Sequence, residues 1–487
     1  MLRTSLFVIG AGAFLVVGIA AGCGSESSSE FGDPAGASSG GASGSGGFIG
    51  SSGGTDGSTK PCTGLCQQQV KCAGGGTTSL SGVVKDPAGK VPLFNVLVYV
   101  PNAPVAPITT GASCDRCGNV SGEPLVTAIT DANGRFKLDD VPVGADIPLV
   151  IQVGKWRRQI KIPNVAQCVD TPLADETIRL PRNKSEGDLP QIAITTGGAD
   201  VMECLLRKIG VDDAEFTTPE NDGRVHFYTG SPGTGETTRQ FNATQGGASF
   251  PSATSFWNAK TNLMKYDLVI LSCEGDTYPA TKPAEALTAL YDYANAGGRV
   301  FASHWHRFWF NTAARGPQPA GPPSPFEPFG TWADRNAPGD VGQIATGIVD
   351  DTFPKGKAMK EWLVNVGAST TAGELPIKES KHNIDEVDPA RATQWITMTN
   401  PQAGNAKAVE YLSFNTPILA PDEQKCGRVV YSDLHVSSGD QRGRPWPDGC
   451  VQPDLSPQEK ALEFMLFDLS SCIQSDSAPV IPPPPVK

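Results

Sequence analysis

Apolar positions follow two different rhythms along the chain. Between about Thr77 and Arg182 they come in short, β-branched runs, Leu80 to Val84, Leu93 to Val100, Leu125 to Thr130 and Arg135 to Leu138. Turn sequences separate them: Asp86-Pro87-Ala88-Gly89 and Asp131-Ala132-Asn133-Gly134 each end on a glycine that takes positive φ without steric cost. Short strands at this spacing predict a β-sandwich. Lys155-Trp156-Arg157-Arg158 is its one basic, aromatic cluster, expected as a strand with Trp156 inward and the arginines solvated.

From Leu189 the rhythm changes. Ile192-Ala193-Ile194 is an apolar strand, and Met202, Leu205, Leu206 and Ile209 form a helical stripe behind it. Arg224 to Tyr228 and Asp267 to Leu271 are runs of the kind buried on both faces of a parallel sheet. A second stripe, Leu287, Leu290, Tyr291 and Ala294, stops at Gly297-Gly298 before the strand Arg299 to Ser303. Near the end, the strand Gly427 to Asp433 precedes Ser456-Pro457-Gln458-Glu459, a capping box with proline at the first helical position, and then the stripe Leu462, Met465, Leu466 and Leu469. This βα alternation predicts an α/β doubly wound sheet over 189–474, after an all-β sandwich over 61–188.

Glycine and proline, 55 and 41 residues, exceed ordinary usage, and much of the excess has an address. Between Gly24 and Lys60, 23 of 37 residues are Gly or Ser, too few apolar groups to offset the entropy of ordering, so this stretch is a tether. Gly316 to Asp340 reads as a long loop, and the tail 475–487, with Ala478 to Pro485, as a stiff, solvated terminus without a partner. Before the tether, Arg3 and the apolar run Leu6 to Ala21 form a secretory signal over 1–22, too short to span a bilayer. Ile19-Ala20-Ala21-Gly22-Cys23 resembles the lipobox of bacterial lipoproteins; the resemblance implies that Cys23 is acylated, and Gly24 after it points to the outer membrane.

Two further resemblances concern the folded parts. Gly82 to Gly89, Thr130 to Phe136 and Val141-Pro142-Val143-Gly144 resemble the carboxypeptidase regulatory-like domain, which implies a transthyretin-like or starch-binding-like sandwich with no catalytic residues of its own. Tyr266 to Gly275 and Gly297 to His304 resemble the class I glutamine amidotransferase-like fold, a flavodoxin-like sheet, in its trehalose-utilisation-type branch. His304 stands where that family places its nucleophilic cysteine, and Cys273 ends the preceding strand, so amidotransferase chemistry is not expected.

The formal charge of −12 is dispersed and argues against a nucleic-acid partner, whose affinity comes from neutralised phosphates. Gly230 to Gly235 has the glycines of a phosphate loop but not its Gly-Lys-Ser/Thr ending, so no nucleotide is expected. Setting Cys23 aside leaves eleven cysteines, six before residue 189 and five after; three disulfides, then two plus one free thiol, fit an oxidising compartment. Cys114 and Cys117 are expected in disulfides rather than on zinc.

Ligands of open α/β sheets sit beyond the carboxyl ends of the strands. That rule collects Asp200, Glu274, Asp276, His304, His306, Asp433 and His435. If the strand continued, His304 and His306 would project to one side; with Asp433 and His435 they would form a candidate catalytic or zinc site, and Asp200, Glu274 and Asp276 a candidate ligand-binding set. The expected role is a lipid-anchored envelope protein that acts as a surface binding or structural module, with glycans or envelope proteins as partners. The rival is a metal-assisted hydrolase of envelope sugars or peptides, which requires those four side chains to converge.

Overall fold

The computed structural model describes residues 61–118, 120–174, 176–230, 236–436 and 439–485; the expected signal, Cys23, the tether and 231–235 of the glycine loop lie outside them. Strands β1 (Ser79–Val83), β2 (Leu97–Pro101), β3 (Pro124–Ile129), β4 (Arg135–Asp139), β5 (Gly144–Val153), β6 (Trp156–Val165) and β7 (Asp170–Pro172) form two sheets, ordered β4-β1-β7 and β3-β2-β5-β6. Their inner faces share one core: Leu80, Phe136 and Leu138 from the first sheet meet Val98, Ile147, Leu149 and Ile151 from the second. Along β4 burial alternates strictly, Phe136 and Leu138 inward and Arg135, Lys137 and Asp139 outward. The turn before it needs glycine: Gly134 has φ +70°, and a Cβ there would stand 2.8 Å from the Val84 carbonyl oxygen. At the start of β6 Trp156 is buried as expected, but Arg157 is buried too, its guanidinium on Asp188 and the Ala106 carbonyl.

The rest of the chain builds a ten-stranded mixed sheet. In chain order come β8 (Ile192–Thr196), α1 (Met202–Lys208), β9 (Phe216–Thr217), β10 (Val225–Thr229), α2 (Ala253–Trp257), α3 (Lys260–Leu263), β11 (Leu268–Leu271), α4 (Ala284–Asn295) and β12 (Arg299–Ser303). There follow β13 (Gly330–Trp332), β14 (Ala345–Val349), α5 (Pro354–Asn365), β15 (Glu374–Ile377), β16 (Ile384–Val387), β17 (Thr393–Asn400), β18 (Ala406–Thr416), β19 (Gly427–Ser432) and α6 (Pro457–Ser470). The strand order is β15-β14-β17-β18-β19-β12-β11-β8-β10-β9. From β19 to β9 all pairings are parallel; β18, β17, β14 and β15 extend the sheet antiparallel. Alternate residues of β12 serve opposite faces, Val300 and Ala302 toward the cluster built with α4, Phe301 toward the one built with α1, α5 and α6. The antiparallel extension is an addition to the expected α/β doubly wound sheet, and part of the expected loop Gly316 to Asp340 is strand, β13 pairing with β16.

The sandwich and the sheet pack as one compact unit. Phe94 stacks on Phe464 of α6, Trp156 meets Phe467 edge-on, and Trp362 Nε1 donates to the Pro92 carbonyl at 2.7 Å. Five disulfides brace it: Cys62–Cys66, Cys72–Cys168, Cys114–Cys426, Cys117–Cys472 and Cys204–Cys450, with Cys273 free. Four of the amino-terminal six pair among themselves, but Cys114 and Cys117 bond to Cys426 and Cys472, because the loop carrying them lies where Ile473 N donates to Asp115 O at 2.8 Å. Five such bonds mark an exported chain, folded in an oxidising compartment. Among the described residues no helix is long and apolar enough to cross a membrane. Nor does the proline tail stand free: Thr127 Oγ1 donates to the Pro483 carbonyl at 2.6 Å, and Val480 to Pro484 wall a cavity of about 560 Å³ beside Leu97, Ile108 and Ile129.

Candidate metal centre

Strands β8, β11, β12 and β19 are neighbours and parallel, so their carboxyl ends deliver Asp200, Cys273, His304 and His435 to one edge of the sheet. At the end of β12 the backbone turns sharply. His304 has φ +42°, a left-handed conformation that costs a residue other than glycine about 1–3 kcal/mol and persists only where its surroundings hold it. What holds it is on its carbonyl: Tyr431 Oη lies at 2.9 Å and Asn383 Nδ2 donates at 3.3 Å. Residues His304–Trp309 then form a 3-10 turn, not more strand, so the two-residue alternation is lost.

His306 is the consequence. Its Nε2 donates to the Ser272 carbonyl at 2.9 Å and its Nδ1 accepts from Trp309 Nε1 at 2.9 Å, leaving neither nitrogen for a ligand. His304 and His435 do come together, Nδ1 to Nε2 at 3.1 Å, and the third member is Cys273, whose Sγ is 3.4 Å from His304 Nδ1. The three donor atoms lie within 4.8 Å of one another. All three residues are buried, with exposures of 0% for Cys273, 6% for His304 and 4% for His435. Burial, with His435, Lys381, Arg315 and Arg307 adding to it, holds His304 well below the usual imidazole range; burial with Lys381 and Arg442 does the same to His435. Burial also pushes the Cys273 thiol up to about 12, against the opposing pull of the Trp305 and Gly275 backbone amides. Both rings are therefore neutral. His304 Nδ1 and His435 Nε2 share one hydrogen bond, which one is the donor being set by the tautomers, and Cys273 Sγ lies beside them with the Trp305 and Gly275 amides on it. These are the residues that could hold a metal.

The carboxylates of the expected set are engaged around this cluster, not in it. Asp433 accepts from Asn383 N at 2.7 Å and contacts Tyr431 Oη at 2.7 Å. Burial pushes it up to about 7, and in its protonated form it donates to Tyr431, freeing the phenolic hydrogen for the His304 carbonyl. Asp200 accepts from Ser303 Oγ at 2.7 Å and from Val436 N at 2.9 Å, fastening the residue before one histidine and the residue after the other. Glu274 forms a buried ion pair with Lys282 at 2.5 Å. Asp276 pairs with Arg315 at 3.0 Å, whose guanidinium covers Trp305 at 3.6 Å, which in turn packs on His304 at 4.3 Å. Sequence reasoning missed Cys273, Tyr431 and Asn383; the signal available for Cys273 was the odd thiol that an even pairing leaves over.

No family model matches the chain, and no curated protein matches it. Among solved structures, a type II cohesin–X–dockerin complex from Acetivibrio cellulolyticus is 18% identical, covering 30% of this chain and 79% of that one, with a TM-score of 0.14. The major pilin subunit BcpA of Bacillus cereus is 17% identical over 22% of this chain and 30% of its own, with a TM-score of 0.14. A 9R-lipoxygenase from Cyanothece is 19% identical over 22% and 18%, with a TM-score of 0.12.

Proposed function

We propose that the chain is an exported protein, tethered to a bacterial cell envelope by lipid on Cys23, that acts as a surface binding module holding a metal ion at Cys273, His304 and His435. The observation that carries this reading is the convergence of one sulfur and two imidazole nitrogens at adjacent strand ends, 3.1 and 3.4 Å apart, with the backbone of His304 held in a strained turn to achieve it. The order β10-β8-β11-β12-β19 corresponds to the doubly wound 2-1-3-4-5 arrangement and supports an amidotransferase-like origin for the sheet. With histidine at the elbow, thioester chemistry has no nucleophile. The seven-stranded sandwich supports a regulatory-like module that spaces the site from the membrane. A hydrolase built on His304, His306, Asp433 and His435 would need four converging groups, and His306 and Asp433 are committed to other partners.

Metal analysis of the purified protein, after growth with zinc, copper, nickel and iron, tests the reading. About one equivalent is expected, lost in His304→Ala and His435→Ala and retained in His306→Gln; no bound metal in the unmutated protein overturns it. Cys23→Ser should move the chain from the membrane to the soluble fraction, and an unchanged distribution removes the lipid anchor.

A further inference from the structure

Resting on the metal-site reading above, we infer that the ion is copper, bound as copper(I) in a three-coordinate site of one thiolate and two imidazoles. The donor set is the first ground. One sulfur and two nitrogens, with no oxygen donor among them, suit a soft or borderline ion, and a trigonal pair of histidines with one cysteine is the set that copper–thiolate centres use.

Coordination number is the second ground. The three expected carboxylates around the cluster have partners of their own: Asp200 on Ser303 Oγ and two backbone amides, Asp433 on Asn383 N and Tyr431, Asp276 on Arg315. The structure therefore offers three donors. Zinc completes four ligands with a further side chain or a water, whereas copper(I) is stable with three, and all three residues here are buried.

Charge decides between them. The cluster is buried, and the cations around it are paired one by one: Lys381 with Asp340, Arg307 with Asp334, Arg315 with Asp276 and Arg442 with Glu236. Within the donor set itself the thiolate is the one negative charge. A singly charged ion on one thiolate makes a neutral buried centre. A divalent ion leaves a full positive charge there, which burial penalises. Trp305, lying against His304, lines the same position with an aromatic face rather than an anion.

The experiment uses the full chain purified in detergent and stripped of metal. Equimolar copper(I) and zinc(II) are offered under anaerobic conditions, with a coloured copper(I) chelator as competitor, and the metal retained after desalting is counted. About one equivalent of copper and less than a tenth of zinc is expected. Oxidising the copper-loaded protein with ferricyanide, which takes one electron per copper, should produce intense visible thiolate-to-copper(II) absorption. Cys273→Ser should abolish that absorption, and His435→Gln should lower copper retention at least tenfold while the unfolding transition persists. Retention of zinc in place of copper overturns the copper assignment and leaves the metal site standing; retention of neither metal by the unmutated protein removes both.

Discussion

His304 Nδ1 stands 3.1 Å from His435 Nε2 although 131 residues separate the two in sequence. Parallel pairing of β12 with β19, in the register that sets Ser303 beside Ser432, brings the strand ends side by side. The turn at His304 and the continued chain after Ser432 then aim the two rings at each other and at Cys273. Two backbone fixtures keep them there: Asp200 on Ser303 and Val436, and Tyr431 on the His304 carbonyl.

Tyr431→Phe isolates the second fixture. The ring is fully buried and the substitution keeps its volume, so the fold should persist with a loss of about 1 kcal/mol for the hydroxyl's hydrogen bonds. Metal affinity should fall by about 10- to 100-fold, the usual effect of removing a group that orients a ligand. Metal titration beside urea unfolding reads both; unchanged affinity would show that the carbonyl contact does not position His304.

Gly197→Ala tests the Cys273 side. A Cβ on Gly197 would lie 2.1 Å from the Cys273 carbonyl oxygen, which already accepts from Ala199 N at 3.0 Å. One of the two segments must shift, at about 1–3 kcal/mol, and the thiol moves with it. Metal uptake should drop in Gly197→Ala and stay unchanged in the control Gly76→Ala, whose added methyl meets nothing closer than 3.9 Å. Equal uptake in the two variants would mean that the segment yields without displacing Cys273.

Much of this architecture is legible in the sequence, for reasons that individual residues make plain. Arg299 to Ser303 is a strand over the expected span because an apolar run between a glycine pair and a turn has few other options. The capping box of α6 is also present as read: Ser456 N donates to Glu459 Oε2 at 2.8 Å, and Ser456 Oγ accepts from Glu459 N. By contrast β14, with Gly347 between Thr346 and Ile348, exposes every second residue and offers no continuous apolar run. The site was half legible. Strand-end logic collected His304 and His435, but one backbone angle at His304 turns His306 away, and no periodicity reports a single φ. Cys114 and Cys426, 312 residues apart, are joined only by tertiary packing.

The long-range disulfides should matter far more than the local one. Cys117–Cys472 spans 355 residues and, with Cys114–Cys426 in place, still closes the stretch from Cys426 to Cys472, whereas Cys62–Cys66 spans only four, so the first removes more freedom from the unfolded chain. Replacing both cysteines of Cys117–Cys472 by serine should cost about 2–5 kcal/mol, and the same change at Cys62–Cys66 clearly less. Guanidinium unfolding under non-reducing conditions compares them; equal losses would show that the clamp between sandwich and sheet is redundant.

Glu203 on α1 gives a pH dependence whose sign is fixed. It is 2% exposed with Oε2 unpartnered, and burial, with Asp200 and Asp440 adding to it, pushes its carboxyl up to about 8 against opposing hydrogen bonds. The folded value lies above the ordinary 4.5, so the folded state binds more protons than the unfolded one between these limits. The stability this group contributes is complete below about pH 4.5 and is lost as pH rises to about 8, by at most about 1.4 kcal/mol per pH unit. Other buried carboxyls titrate in the same window, so the difference between the parent and Glu203→Gln is the quantity to follow. An amide cannot ionise; the variant should gain on the parent steadily from pH 5 to pH 8. Urea midpoints that differ by the same amount at both ends of that range would mean that Glu203 ionises as readily in the folded state as in the unfolded one.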